Sequence, residues 1–136
     1  MKTWIVQCAI GIVLGPVVVV NAHHSVAGAY DSSRSATVEG VISRFRFVNP
    51  HPFVVVDVRT SDGPIEEWTL EMDNRNELAA IGFRMDTLKP GDRVVVSGSV
   101  SRRQPRSLYL RRLERPIDGF IYEQVGSSPR IRTAPK

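Results

Sequence analysis

The chain has 136 residues, enough for one domain with a core of its own. Lys and Arg outnumber Asp and Glu by 18 to 14, for a net charge of +4, and there is a single cysteine. These figures exclude a disulfide-stapled fold and a zinc site built on cysteines. The basic excess sits in Arg102, Arg103, Arg106, Arg111, Arg112 and Arg115 and in the tail, and it reads as a solvated face.

Residues 1–22 have the pattern of a secretory signal. Lys2 supplies the positive start, Ile5 to Val20 is an apolar run interrupted by Gly15-Pro16, and Val20-Asn21-Ala22 offers small residues for cleavage. That run is shorter than the ~20 residues a spanning helix needs, so no membrane anchor is expected after cleavage. Cys8 follows Val6-Gln7 and lacks the small neighbour of a lipoprotein signal. The expected location is therefore periplasmic or secreted, which argues against nucleic acid as the physiological partner. Any partner would be a small ligand or another exported protein.

Cleavage after Ala22 makes His23-His24-Ser25 the mature start. A free α-amine titrates near ~8 and can bind a metal once deprotonated. The amine and imidazole of His23 can then chelate one ion together, a set that suits copper(II) and its tetragonal nitrogen ligation. A third nitrogen from His24 or His51 would complete the geometry of a histidine brace. The plainer alternative is a hydrogen-bonded N-terminal arm, expected over residues 23–36. Within it, Asp31 is a weaker candidate ligand, and Ser32-Ser33-Arg34-Ser35 reads as a polar turn.

Thr37 to Val48 predicts a long strand, with Val41, Phe45 and Phe47 alternating against Ile42, Arg44 and Arg46. Gly40 within it marks a bulge or sharp bend. Val48-Asn49-Pro50-His51-Pro52 follows as a stiff connector, since prolines flank His51 on both sides. Phe53 to Thr60 is a second strand, with Phe53, Val55 and Asp57 on one face and Val54, Val56 and Val58 on the other. Ser61-Asp62-Gly63-Pro64 is a hairpin turn in which glycine is expected at positive φ. Ile65 to Met72 is the third strand, with Trp68, Leu70 and Met72 on one face and Glu67, Thr69 and Glu71 on the other.

Asp73 to Gly82 is the helix candidate, capped by Asp73 or Asn74. Lys89-Pro90-Gly91-Asp92 is a tight turn into a fourth strand, Arg93 to Val100, with Val94, Val96 and Val100 inward. Ser101 to Arg106 is a basic hairpin loop, and Ser107 to Leu113 is the fifth strand. Asp118-Gly119-Phe120 opens a last short strand or tail, and residues 123–136 are expected to be disordered. The fold expectation is all-β with one short helix. Its order β-β-β-α-β-β is that of an OB-fold-like five-stranded barrel over residues 37–122, behind the signal peptide.

Taken together, His23-His24-Ser25, Tyr30-Asp31, Val38-Glu39-Gly40, Asn49-Pro50-His51, the Trp68-Leu70-Glu71 strand and Lys89-Pro90-Gly91-Asp92 resemble a family of small exported bacterial proteins. That family is catalogued only as a domain of unknown function. The resemblance runs to about Gly119 and implies an exported OB-like barrel with no established activity. Pro52 departs from it, standing where a small or aromatic residue is expected.

Two functions follow from these residues. One is a metal-binding protein with copper as its cofactor, using His23, His24 and His51, with Asp31 or Glu71 as oxygen ligands or second partners. The other is a metal-free binding module that uses the outer face of strands two and three, with Asn49, Phe53, Asp57, Glu67 and Glu71 as candidate ligand contacts. Catalysis is disfavoured, because no nucleophile elbow, His-Glu-x-x-His helix or phosphate loop is present.

Overall fold

A computed structural model describes residues 26–133. The elements are α1 (Val26–Ala29), β1 (Tyr30–Arg46), β2 (Phe53–Arg59), β3 (Ile65–Glu71), α2 (Arg75–Ala80), β4 (Arg93–Ser101), β5 (Ser107–Arg115), β6 (Phe120–Val125) and β7 (Ser128–Thr133). The chain is mostly β, as expected. Among the described residues there are seven strands and two short helices where five and one were expected. The strands form one sheet in the order β3-β2-β1-β4-β5-β6-β7. All ladders are antiparallel except a further parallel one joining β3 to β5, with Leu70 beside Leu108 and Glu71 beside Tyr109.

Strand alternation places the core. Val54 and Val56 of β2, Leu70 of β3, Val94 and Val96 of β4 and Leu108, Leu110 and Leu113 of β5 are all buried. Met72, Leu78, Phe83 and Tyr122 complete the same cluster. Burying such a side chain stabilises the fold by about 1.5–3 kcal/mol. β1 departs from simple alternation. Its ladder with β2 shifts between Ile42 and Arg44, so Ser43 is an extra residue. Two like-facing runs meet there. Ile42 is the buried core residue before the shift, and Phe45 packs on the core after it, so Val41 and Phe45 do not share one face.

Gly40 is not the bulge. It allows a close approach of β1 to β2: a Cβ there would lie 2.3 Å from the Asp57 carbonyl oxygen. Gly63 also differs from expectation. Its φ is not positive, and a Cβ there would sit 2.5 Å from Thr60 Oγ1, a side-chain atom that can rotate aside.

Helix α2 begins as expected. The Asn74 side chain accepts from the Asn76 amide at 2.8 Å, a standard N-cap contact, and Leu78 faces the core.

Two boundaries change. The expected arm ends at Ala29, because Tyr30 already pairs with Ser101 and Asp31 with Val100. The polar run Ser32-Ser33-Arg34 is accommodated as a bulge, with pairing resuming at Ser35. Of the expected disordered tail, residues 123–133 instead belong to the hairpin β6-β7. Gly126, at φ 61°, makes the tight turn, and Ile131 packs on the core. Glu123 binds Arg132 across this hairpin and Arg112 of β5 on its other side. Pro129 is tolerated because β7 is the last strand in the order, where a missing N–H breaks no outer ladder. Among the described residues, no helix is long and apolar enough to cross a membrane.

Candidate functional site

The connector Asn49–Pro52 is fastened to the end of β3. The Arg75 amide donates to the Pro50 carbonyl at 3.0 Å, and the Met72 amide to the Pro52 carbonyl at 2.9 Å. Arg75 also stacks over the Phe47 ring at 4.8 Å and donates from Nε to the Phe47 carbonyl at 3.3 Å. The Asn49–Pro50 bond is cis.

These contacts hold the His51 ring in place. Its Nδ1 lies 3.1 Å from the Met72 carbonyl oxygen. A carbonyl can only accept, so Nδ1 carries the proton and Nε2 is left with a free lone pair in the neutral ring. The same Nδ1 lies 3.8 Å from Glu71 Oε1, and both side chains are partly exposed.

Glu71 links His51 to the start of the sheet. Its Oε2 accepts a hydrogen bond from the Tyr30 phenol at 2.6 Å. Tyr30 is buried, its ring lies 5.6 Å from that of Tyr109, and the buried Ser107 hydroxyl lies beside its oxygen. Burial first, and then the bond to Glu71, push the Tyr30 phenol well above its ordinary titration range. Tyr109 is pushed up in the same direction, chiefly by burial. Both phenols therefore stay protonated at neutral pH, and Tyr30 acts as a donor to the carboxylate.

The meeting of Tyr30 with Glu71, 41 positions apart in sequence, comes from three ladders in series. β1 pairs Tyr30 with Ser101, β4 pairs Val100 with Leu108, and β5 pairs Tyr109 with Glu71.

Beside Glu71 an open groove of about 490 Å³ runs between the outer face of β2–β3 and the loop after β4. Its lining includes Tyr30, Phe53, Thr69 and Glu71 from the strands and Arg103 and Gln104 from the loop. Phe53 pairs with Glu71 across the β2–β3 ladder, which explains why both face this hollow.

The expected site residues do not all gather here. His51, Phe53 and Glu71 do, and Asn49 is exposed on the adjoining connector. Asp57 and Glu67 face each other four positions along the strands, about 13 Å away at strand rise. Asp57 there lines a separate hollow with Arg59 and Arg93. Asp31 is committed elsewhere: it accepts from the Ser33 amide and hydroxyl at 3.0 and 2.6 Å and lies 3.5 Å from Arg102. Those Ser33 bonds, with Arg102, hold its carboxyl below the usual range. His23 and His24 lie outside the described residues, as does the expected cleavage site. Tyr30 and Ser107 belong to the site and carried no functional signal in the sequence, since a tyrosine near a strand start has no distinctive spacing.

Among the described residues, no three His, Cys, Asp or Glu side chains converge as a metal site. The described chain offers one imidazole nitrogen and one carboxylate, and further ligands would have to come from outside that span.

Residues 12–107 match the model of a family of unknown function, DUF6152. No curated protein matches the chain.

Proposed function

The chain belongs to that family, which brings no activity with it, and on the chain's own geometry we propose a small exported copper-binding protein built on an OB-like barrel. For the barrel, the support is the parallel β3–β5 ladder, which returns the order β3-β2-β1-β4-β5 to its first strand. For export, it is the leader-like composition of residues 1–22.

One observation carries the metal reading. His51 is oriented by the bond from Nδ1 to the Met72 carbonyl, and in that tautomer of the neutral ring Nε2 carries the lone pair that a metal would use. Metal-binding imidazoles are commonly oriented by such a backbone acceptor. Glu71 stands next to this ring and next to Tyr30, close to where the described chain begins at Val26. From His23 to Val26 is three residues, up to about 10 Å of extended chain. The mature amine and imidazole of His23, with His24 as the alternative, would supply the remaining nitrogens. Glu71 would serve as an oxygen ligand or as the partner that orients one. Copper(II) is the ion that this nitrogen-rich set suits. A metal-free reading is favoured by the groove beside Glu71, whose polar walls could hold a small ligand.

The test is copper(II) titration of the mature protein, its start at His23 verified by mass spectrometry, followed by electron spin resonance. The expected result is one-to-one binding with nitrogen hyperfine structure that loses one nitrogen in His51→Ala. Copper affinity and spectra indifferent to His51→Ala would sink the reading.

A further inference from the structure

We propose that the groove between Glu71 and Arg103 binds a small zwitterion, an amino acid or a di- or tripeptide with both termini free. The ammonium end lies toward Glu71 and the carboxylate toward Arg103. This goes beyond metal binding and requires no metal.

The argument begins with the loop that carries Arg103. It is tied down on both flanks. The Arg102 amide donates to the Ala29 carbonyl at 2.9 Å and its Nε to the Ala27 carbonyl at 3.2 Å. The Thr69 amide donates to the Arg106 carbonyl at 3.0 Å. Within the loop, Ser101 Oγ accepts from the amides of Arg103 and Gln104 at 3.3 and 3.1 Å. A loop so held pre-organises its tip, which lowers the ordering cost of binding.

The three arginines of this loop then differ in a telling way. Arg102 reaches Asp31 at 3.5 Å, and Arg106 reaches Glu66 at 3.7 Å. Arg103 has no acidic partner among the described residues, yet it lines the groove with Gln104. A guanidinium presents a planar fork of donors that matches a carboxylate. Gln104 can add an amide donor beside it.

The strand side of the lining carries the opposite charge. Glu71 spends one oxygen on Tyr30, and its other oxygen is not within hydrogen-bond range of His51. A carboxylate has about four acceptor positions, so room remains for an ammonium. Phe53, the ladder partner of Glu71, adds an apolar surface beside it. The volume, about 490 Å³, falls in the range of small-ligand sites. A simple carboxylate would leave Glu71 unmatched, and a simple amine would leave Arg103 unmatched. A zwitterion matches both.

The experiment is calorimetric titration of the mature protein in chelator-treated, metal-free buffer. The probes are phenylalanine, Gly-Phe, Gly-Phe amide and N-acetyl-Gly-Phe. At least one of the first two should bind with a Kd on the order of a millimolar, and which of them binds tighter separates the amino acid from the peptide. The amide and the acetyl derivative should each bind about tenfold more weakly, one charged contact being worth roughly that factor. Arg103→Ala should erase the difference between acid and amide, and Glu71→Gln the difference between free and acetylated amine. Arg103 is exposed and carries no ion pair, so its variant keeps the fold. No heat from any probe, or equal binding of all four, overturns the proposal. Because metal is absent throughout, neither outcome bears on copper.

Discussion

Two proline-bearing turns of this protein use their polar atoms in opposite ways. In Lys89-Pro90-Gly91-Asp92 the polar groups close on the fold itself. The Lys89 amide donates to Asp92 Oδ2 at 2.9 Å, and the Asp92 amide donates to the Lys89 carbonyl at 3.1 Å. The Gly91 amide reaches the Ile42 carbonyl and the Ile42 amide reaches the Asp92 carbonyl, at 2.8 and 2.9 Å. Arg115 then covers Asp92 at 2.7 Å while also binding Asp118, the Thr87 carbonyl and the Phe120 ring. In Asn49-Pro50-His51-Pro52 the backbone is also anchored, but the His51 ring, whose Nδ1 meets the Met72 carbonyl and lies 3.8 Å from Glu71, keeps its Nε2 without a hydrogen bond among the described residues. Both are short proline-bearing connectors between strands or ahead of one. A turn whose polar atoms are all answered internally is a fastening, whereas one that keeps an aimed, unanswered nitrogen can receive something else.

Three measurements break or sharpen that comparison, the largest effect first. The phenols of Tyr30 and Tyr109 behind the site, and of Tyr122 on β6, are all raised above their ordinary value of 10.0, in each case mainly by burial. A raised folded pKa favours the protonated form in the native state. The stability it confers is whole below about pH 10 and is lost as pH rises further. Denaturation followed from pH 9 to 12 should show a steep loss, up to about 4 kcal/mol per pH unit if all three ionise only on unfolding. A flat profile would mean that the site opens to water without unfolding.

Next is Arg115→Ala. It leaves Asp92 without its cation and removes the bond to the Thr87 carbonyl. Urea unfolding should show a loss of about 2–3 kcal/mol, since the side chain is mostly buried and its partner loses a charge-assisted bond. Copper affinity should be unchanged, because the turn it braces holds no site.

His51→Ala gives the smallest stability effect. One hydrogen bond to the Met72 carbonyl disappears, worth about 1 kcal/mol. A loss near the size of Arg115→Ala would make the two turns equivalent and His51 a fastening.

Much of the fold was legible because it is local. Alternation picked out Val54, Val56, Leu70, Val94 and Val96 as core and Phe53 and Glu71 as outer-face residues. Asp73 and Asn74 were both legible as caps by residue type, and the structure uses Asn74. What failed locally failed for identifiable reasons. The extra residue Ser43 switches the parity of β1, and a bulge leaves no compositional mark beyond a polar side chain. The tail seemed too polar to fold, yet Ile131 and the Glu123–Arg132 pair suffice once β6 is there to pair with. Of the site, His51 and Glu71 were visible as chemistry, but their conjunction with Tyr30 was not.

The sequence by itself determined which residues share a face of β2, β3 and β4, where the turns before β3 and β4 fall, and which side chains carry chemistry. These depend on neighbours two to four positions away, so periodicity and residue type are enough. Only the tertiary structure decided that Tyr30, Glu71 and His51 meet, and that Asp57 and Glu67 stand apart from them. That decision rests on which strands become neighbours. The parallel β3–β5 ladder brings the end of β3 to the start of β1, a pairing between distant segments set by burial of the whole core rather than by any local pattern.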